Sequence, residues 1–324
     1  MKGFLRWWLK PAPLGSWHEY WFRPAPLFDL AMCRIVLAGT QVALLLIYGK
    51  YSVARLAIYA ELDDQMYLPH PLLRLLLLPF GLDYRPDLAF LEATRYVAIG
   101  AGILAMAGLL TRTSLIVLLY SSLILITHFF SYGDFHHTDA PLMLALSFLV
   151  LSPAGRVCSV DRLLRGGTAG MLREQSPYAR WPILLAQWMF AMIYISAFLE
   201  KLVFIGGLDW INGYTLMYHM AHDSLWRGSV LGLWLQQHWA VVILGQITVV
   251  AFQGTFWISL LLPRLKLIYV PLGFTFHVIN ILALNAIFWE WIGAYAIFVP
   301  WTLIATYLCR RLGGAQPLVL RARV

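Results

Sequence analysis

From Trp181 to Ile205 the chain runs twenty-five residues with one acid and one base, Glu200 and Lys201, side by side near its end. A helix of that length reaches about 37 Å, more than the roughly 30 Å of a bilayer's hydrocarbon core. Comparable apolar segments recur at about 28–49, 92–110, 114–132, 139–153, 239–262, 267–287 and 289–309. At 60% hydrophobic and 12% charged residues over 324 positions, a soluble surface could not be covered with polar groups. The pattern predicts an all-α fold, a polytopic membrane helix bundle of about eight transmembrane helices. The fourth segment is short for a full crossing. Pro71 to Pro79 is shorter still and bounded by prolines, so it is expected to lie in the interface or re-enter.

The basic residues flank the apolar segments, and their distribution sets an orientation. With the N-terminus inside, sixteen Lys and Arg residues fall in inner segments and five (Lys50, Arg55, Arg74, Arg85, Arg227) in outer ones. Both termini are therefore expected in the cytoplasm. The reading divides the chain into an interfacial segment 1–27, a transmembrane domain 28–309 and a basic tail 310–324. Lys2, Arg6 and Lys10 alternate with Trp and Leu, which suits a short helix lying on anionic lipid. The net charge of +8 thus points to membrane lipid as partner, with no nucleic acid implied, since zinc-finger, Walker and dinucleotide motifs are absent. Cys33, Cys158 and Cys309 fall in or beside segments expected to face the cytoplasm, where a structural disulfide is not required.

This topology gathers the unusual ionisable residues in the outer half of the bundle. Lys201 is the only lysine inside an expected span, and an ammonium there costs on the order of 3 kcal/mol. It either snorkels to the interface or is held uncharged by burial, able to act as a base. His136, His137 and Asp139 occupy one outer loop, and His219, His222, Asp223 and His238 another. Imidazoles and carboxylates in this number could ligate zinc or iron, but no spacing forms a metal motif, and no metal is predicted. Hydrogen bonding from one of these histidines to a developing negative charge is the preferred role. His277 and Asn280 stand three apart on one helical face, expected to serve as interhelical hydrogen-bonding glue. Trp210 fits an interfacial belt, and Asp161 is positioned to cap a short helix starting at Arg162.

In order along the chain come Gly108-Leu-Leu-Thr-Arg112, Pro153-Ala-Gly-Arg-Val-Cys-Ser-Val-Asp161, Tyr194-Ile-Ser-Ala-Phe-Leu-Glu-Lys-Leu202, Asp209-Trp-Ile-Asn-Gly-Tyr-Thr-Leu216 and Phe276-His-Val-Ile-Asn280 with Phe288. From about Leu27 to Cys309 this resembles the HTTM family, the membrane domain of vitamin K-dependent γ-glutamyl carboxylase and its bacterial relatives. The resemblance implies a multi-pass protein of the bacterial inner membrane and, if an enzyme, a carboxylase-like lyase dependent on a reduced lipoquinone of the vitamin K or menaquinol type. Lys201 matches the lysine that deprotonates the reduced quinone, and His137 most nearly the histidine that stabilises the anion, with His136 the alternative. His277, Asn280, Tyr194 and Trp210 fall where a cofactor pocket is implied. The substrate would be a peptide or small molecule at the outer face. The carboxylases carry a large lumenal domain that captures a propeptide, though none is expected here, and they have a Gly-containing turn where this chain reads Asn285-Ala-Ile-Phe288. A stand-alone member of the family could instead be a non-catalytic membrane partner in maturation or export of a secreted peptide, of the sporulation-delaying toxin type.

Overall fold

The computed structural model describes residues 16–47, 51–81, 85–135, 137–167, 172–286 and 288–312, Ile205 by its backbone alone. The amphipathic segment around Lys2 to Lys10, the tail beyond 312 and His136 lie outside the described residues. The principal helices are α1 (Leu27–Leu46), α2 (Leu88–Ala107), α3 (Thr111–Phe130), α4 (Ala140–Val150), α5 (Arg180–Leu199), α6 (Tyr214–Arg227), α7 (Val230–Leu235), α8 (Trp239–Thr255), α9 (Lys266–Leu284), α10 (Trp289–Ala294) and α11 (Trp301–Arg311). The described extended structure is one two-residue pairing of Ala25–Pro26 with Gln175–Ser176. The fold is all-helical.

Among the described residues five helical stretches are long and apolar enough to cross a membrane: Leu27–Leu46, Leu88–Ala107, Thr111–Phe130, Pro177–Phe204 and Pro263–Leu284. The count is six if the broken pair Trp289–Phe298 and Trp301–Arg311 forms one span. The continuous last helix expected over 289–309 is broken at Val299 and Pro300, because proline removes a helical donor and disfavours α geometry in the residue before it. The expected segments 139–153 and 239–262 give shorter apolar helices, His137–Val150 and Trp239–Thr255. Pro71–Leu77 is helical and continues into a 3₁₀ turn, Leu78–Phe80.

The chain divides into two compact units, one of Met1–Tyr20 with Leu185–Phe298, the other of Trp21–Leu184 with Val299–Val324. In the second unit α1, α2, α3 and α4 pack together, with α11 against α1. A side chain at Gly102 on α2 would strike Val42 on α1, so glycine permits their close approach. Polar groups inside this packing are bonded across helices. Arg95 donates twice to the Leu45 carbonyl, at 3.0 and 2.6 Å, and Gln41 donates to Ser122 at 3.0 Å. Arg34, fully buried, donates to the Cys158 carbonyl at 2.5 Å.

Asp161 takes a different role from the one expected. Ser159 caps the short helix Val160–Leu164. Asp161 reaches across to α3, whose own N-cap residue is Leu110 and has no side chain able to accept. Its carboxylate receives the Leu110 N–H at 2.7 Å and both the N–H and hydroxyl of Thr111 at 2.8 Å. The helix start and the loop are thereby one hydrogen-bonded junction. Gly108, at φ +70°, ends α2 there and lies against Arg34 and Ser159, where a side chain would collide.

In the first unit α6 and α7 form a helical hairpin packed on α8 and α9, and α9 contacts α10. Lys266, counted with the cytoplasmic loops in the sequence, begins the apolar stretch as a buried residue of α9, its ammonium donating to Gln187 at 2.8 Å. Gln187 in turn donates to the Ile297 carbonyl at 2.7 Å.

Candidate functional site

Two constellations in the first unit share the α5 helix. The first is a buried chain of three polar groups. Tyr194 Oη and His277 Nε2 share a hydrogen bond of 2.8 Å, and Tyr194 Oη and Tyr295 Oη another of 2.8 Å. All three side chains are at most 3% exposed. Phe190, Phe252, Phe256 and Trp291 surround Tyr194 with ring centroids 5.0 to 5.3 Å away. Trp291 lies 4.8 Å and Phe288 5.6 Å from the imidazole. α9 makes room for the chain through Gly273, where a Cβ would collide with the Tyr295 hydroxyl. Each of the two hydroxyls can donate or accept, so the chain can be polarised in either direction and can pass a proton between its ends.

The second constellation surrounds Lys201. At Glu200 the α-helix gives way to a π-helical segment, Glu200–Ile205, closed by the Gly206 N–H on the Lys201 carbonyl at 3.3 Å, five residues back. Such widened turns recur at functional sites, since an extra residue in the helix re-aims side chains at a cost in regular bonding. Lys201 is half-buried; its Nζ donates to the Ala197 carbonyl at 3.1 Å and stands 5.3 Å over the Trp210 ring. Glu200 is exposed. The loop carrying Trp210 is fastened to α8: Gln246 donates to the Trp210 carbonyl at 2.5 Å and the Trp239 indole to the Asn212 carbonyl at 3.1 Å. Gln246 is fully buried, and its amide oxygen has no hydrogen-bond partner among the described residues. It remains an acceptor within this loop region.

Of the residues singled out in the sequence, the structure therefore joins Tyr194 to His277 and Lys201 to Trp210. Asn280 is half-buried, and its carbonyl accepts the Ala286 N–H at 3.2 Å in closing α9. His137 belongs to the other unit and is exposed in the turn His137–Asp139. Asp139 beside it is buried and accepts from the Tyr51 hydroxyl at 2.5 Å. Nearby in that unit Asp134 binds Arg55 and the Tyr59 hydroxyl, each at 2.8 Å. Among the described residues no three His, Cys, Asp or Glu side chains converge as a metal site. His222 pairs instead with Asp223 at 3.1 Å.

Tyr295, Gln246, Lys266 and the buried Glu290 carry no signal as a motif. Gln246 and Glu290 were open to discovery as polar residues in apolar segments, which need an inward-facing partner. His128, one turn from the end of α3 and 1% exposed, was equally open. It packs among Tyr67, Phe129 and Tyr132, with neither ring nitrogen hydrogen-bonded among the described residues.

Comparison of the chain with protein-family profiles, with curated proteins and with solved structures finds no match.

Proposed function

We propose that the chain is a multi-pass protein of the cell membrane, with eight membrane segments and both termini cytoplasmic, acting as a quinone-dependent enzyme of the HTTM or γ-carboxylase type on a peptide or small substrate at the outer face. The observation that carries this reading is the pairing within one unit of a buried phenol–phenol–imidazole chain with a lysine on a π-helical turn of the same helix. Tyr194 and Lys201 are seven residues apart, two helical turns or about 10 Å along the axis. The residues present fit a reduced lipoquinone. Val203, Phe204 and Leu208, all exposed, would receive an apolar ligand arriving from lipid, and the Trp210 indole offers a flat wall. A reduced lipoquinone would supply, with O2, the strong base that removal of a carbon-bound proton requires.

The chain's own part is smaller and specific. Lys201 takes the hydroxyl proton of the ligand. Trp210, held by Gln246, covers the amine on one side and limits water there. Tyr194, His277 and Tyr295 form the route by which a proton is stored or returned. The family resemblance implies an anion-stabilising role for His137 or His136.

The test is oxygen-dependent consumption of a reduced short-chain naphthoquinone by the protein in vesicles. Removing a general base lowers turnover by about 10²–10⁴-fold, and Lys201→Ala is expected in that range with unchanged membrane assembly. A variant within threefold of wild type overturns the enzymatic reading. That result would favour a non-catalytic partner in maturation or export of a secreted peptide.

A further inference from the structure

The α6–α7 hairpin is apolar on two sides, which a connection exposed to water would not be. Its inner side packs on α8 and α9 through Met217, Met220, Leu235, Val242 and Ala283. Its outer side exposes Tyr214, Tyr218, Leu225, Trp226, Val230 and Trp234, from 54% to 82% of each side chain's surface. On α6, Tyr214, Tyr218 and Leu225 recur at helical spacing along one stripe, opposite the buried Met220 and Ser224. His222 and His219 share this exposed face with Tyr218 and Trp226, and Arg227 stands at the helix end. α6 itself is too short and too polar to stand among the membrane-crossing helices.

Three hydrogen bonds fix the depth of this hairpin. The Ser229 hydroxyl donates to the Leu282 carbonyl at 2.7 Å, Ser224 to the Ala283 carbonyl at 3.3 Å, and the Asn285 amide to the Arg227 carbonyl at 2.7 Å. All three acceptors or donors on α9 lie at its last turn or cap, Leu284 being its final residue and Asn285 the left-handed cap. The apolar stretch Pro263–Leu284 is 22 residues, about 33 Å, so its end coincides with the limit of the hydrocarbon. A hairpin stapled to that end stands level with the headgroups. Tyr and Trp favour that layer, where a ring is buried in the acyl boundary and its polar edge stays wet.

We infer that the outer face of the α6–α7 hairpin is a lipid-binding surface, lying in the headgroup layer with Tyr218, Leu225 and Trp226 in the acyl boundary. The inference rests on the membrane-spanning reading of α9 and is independent of the enzymatic one. It also gives the Lys201 site its access. The Gly207–Ile211 turn that carries Trp210 contacts α6, so an amphiphile held at the headgroups arrives beside the lysine.

Nitroxide labels report this depth by their relative collision with oxygen and with a water-soluble nickel chelate. The full chain, with Cys158 and Cys309 replaced by serine, is labelled singly at Tyr218→Cys and Trp226→Cys in phosphatidylcholine–phosphatidylglycerol vesicles. Val97→Cys, exposed at the middle of α2, is the deep control and Glu61→Cys the aqueous one. Labels at 218 and 226 are expected about 5–10 Å below the phosphates, between the two controls. Nickel accessibility equal to that of position 61 overturns the inference, and exclusion of both reagents overturns it in favour of a protein partner. If position 97 also reports water, the membrane-spanning reading itself falls and the inference falls with it.

Discussion

At the scale of single residues, the informative side chains are those whose polar atoms are buried and shared. Tyr194 bonds both His277 and Tyr295, whereas Tyr295 is bonded through one of the two links. Removing the central hydroxyl breaks two buried hydrogen bonds and removing that of Tyr295 breaks one, at about 1–3 kcal/mol each. Tyr194→Phe is therefore expected to destabilise clearly more than Tyr295→Phe in chemical unfolding of the reconstituted protein. Equal losses would show that the chain is not read correctly. Asp161 is the second case. Burial raises its carboxyl, but hydrogen bonds from Thr111 and Leu110 outweigh burial and hold it below the usual carboxylate range. A depressed folded value means stability that is present above the unfolded pKa of about 3.9 and lost as pH falls through the folded one. Thermal unfolding of wild type should therefore fall away below about pH 4. Asp161→Ala should be less stable at pH 7 by about 0.5–2 kcal/mol and show a weaker acid dependence.

At the scale of elements, the π-helical turn at Glu200–Ile205 decides how Lys201 and Trp210 meet. Deleting one residue from it, such as Val203, converts the turn to regular α-helix and rotates everything beyond by about 100°. Helix content and membrane insertion should be kept while the Lys201 side chain loses the Trp210 ring. The readout is the rate at which a small neutral amine reagent modifies Lys201, expected to rise severalfold. An unchanged rate would mean that the widened turn does not govern the pair. The presence of this turn was not legible in the sequence, since Phe198-Leu-Glu-Lys-Leu-Val-Phe204 satisfies α periodicity equally well. The break at Val299–Pro300 had a signal in the proline, but the apolar run across it outweighed that signal in the reading of a single span.

At the scale of the whole molecule, the claim to test is which face each cysteine sees. Cys309 is exposed and Cys158 half-buried, and the proposed orientation puts both on the cytoplasmic side. Burial pushes the Cys158 thiol up, opposed by Arg34 and Arg162, which slows it relative to Cys309. A membrane-impermeant maleimide should label neither in intact cells and both, Cys309 first, in inside-out vesicles. Labelling from outside would reverse the orientation and place Lys201 toward the cytoplasm.

Class and the presence of long apolar helices were determined by the sequence alone, because transfer of backbone into lipid permits little besides helices and the apolar runs are long enough to read directly. The pairing of positions 194 with 277, and of 201 with 210, was open: the sequence marked all four residues without saying which would touch. Tertiary structure decided that, and it recruited Tyr295 and Gln246, whose side chains acquire a role only when α8, α9 and the chain beyond α10 are brought against α5. Hydrophobicity adds up along a chain and is visible residue by residue. A hydrogen bond belongs to two places at once, and only the folded backbone brings them within 3 Å.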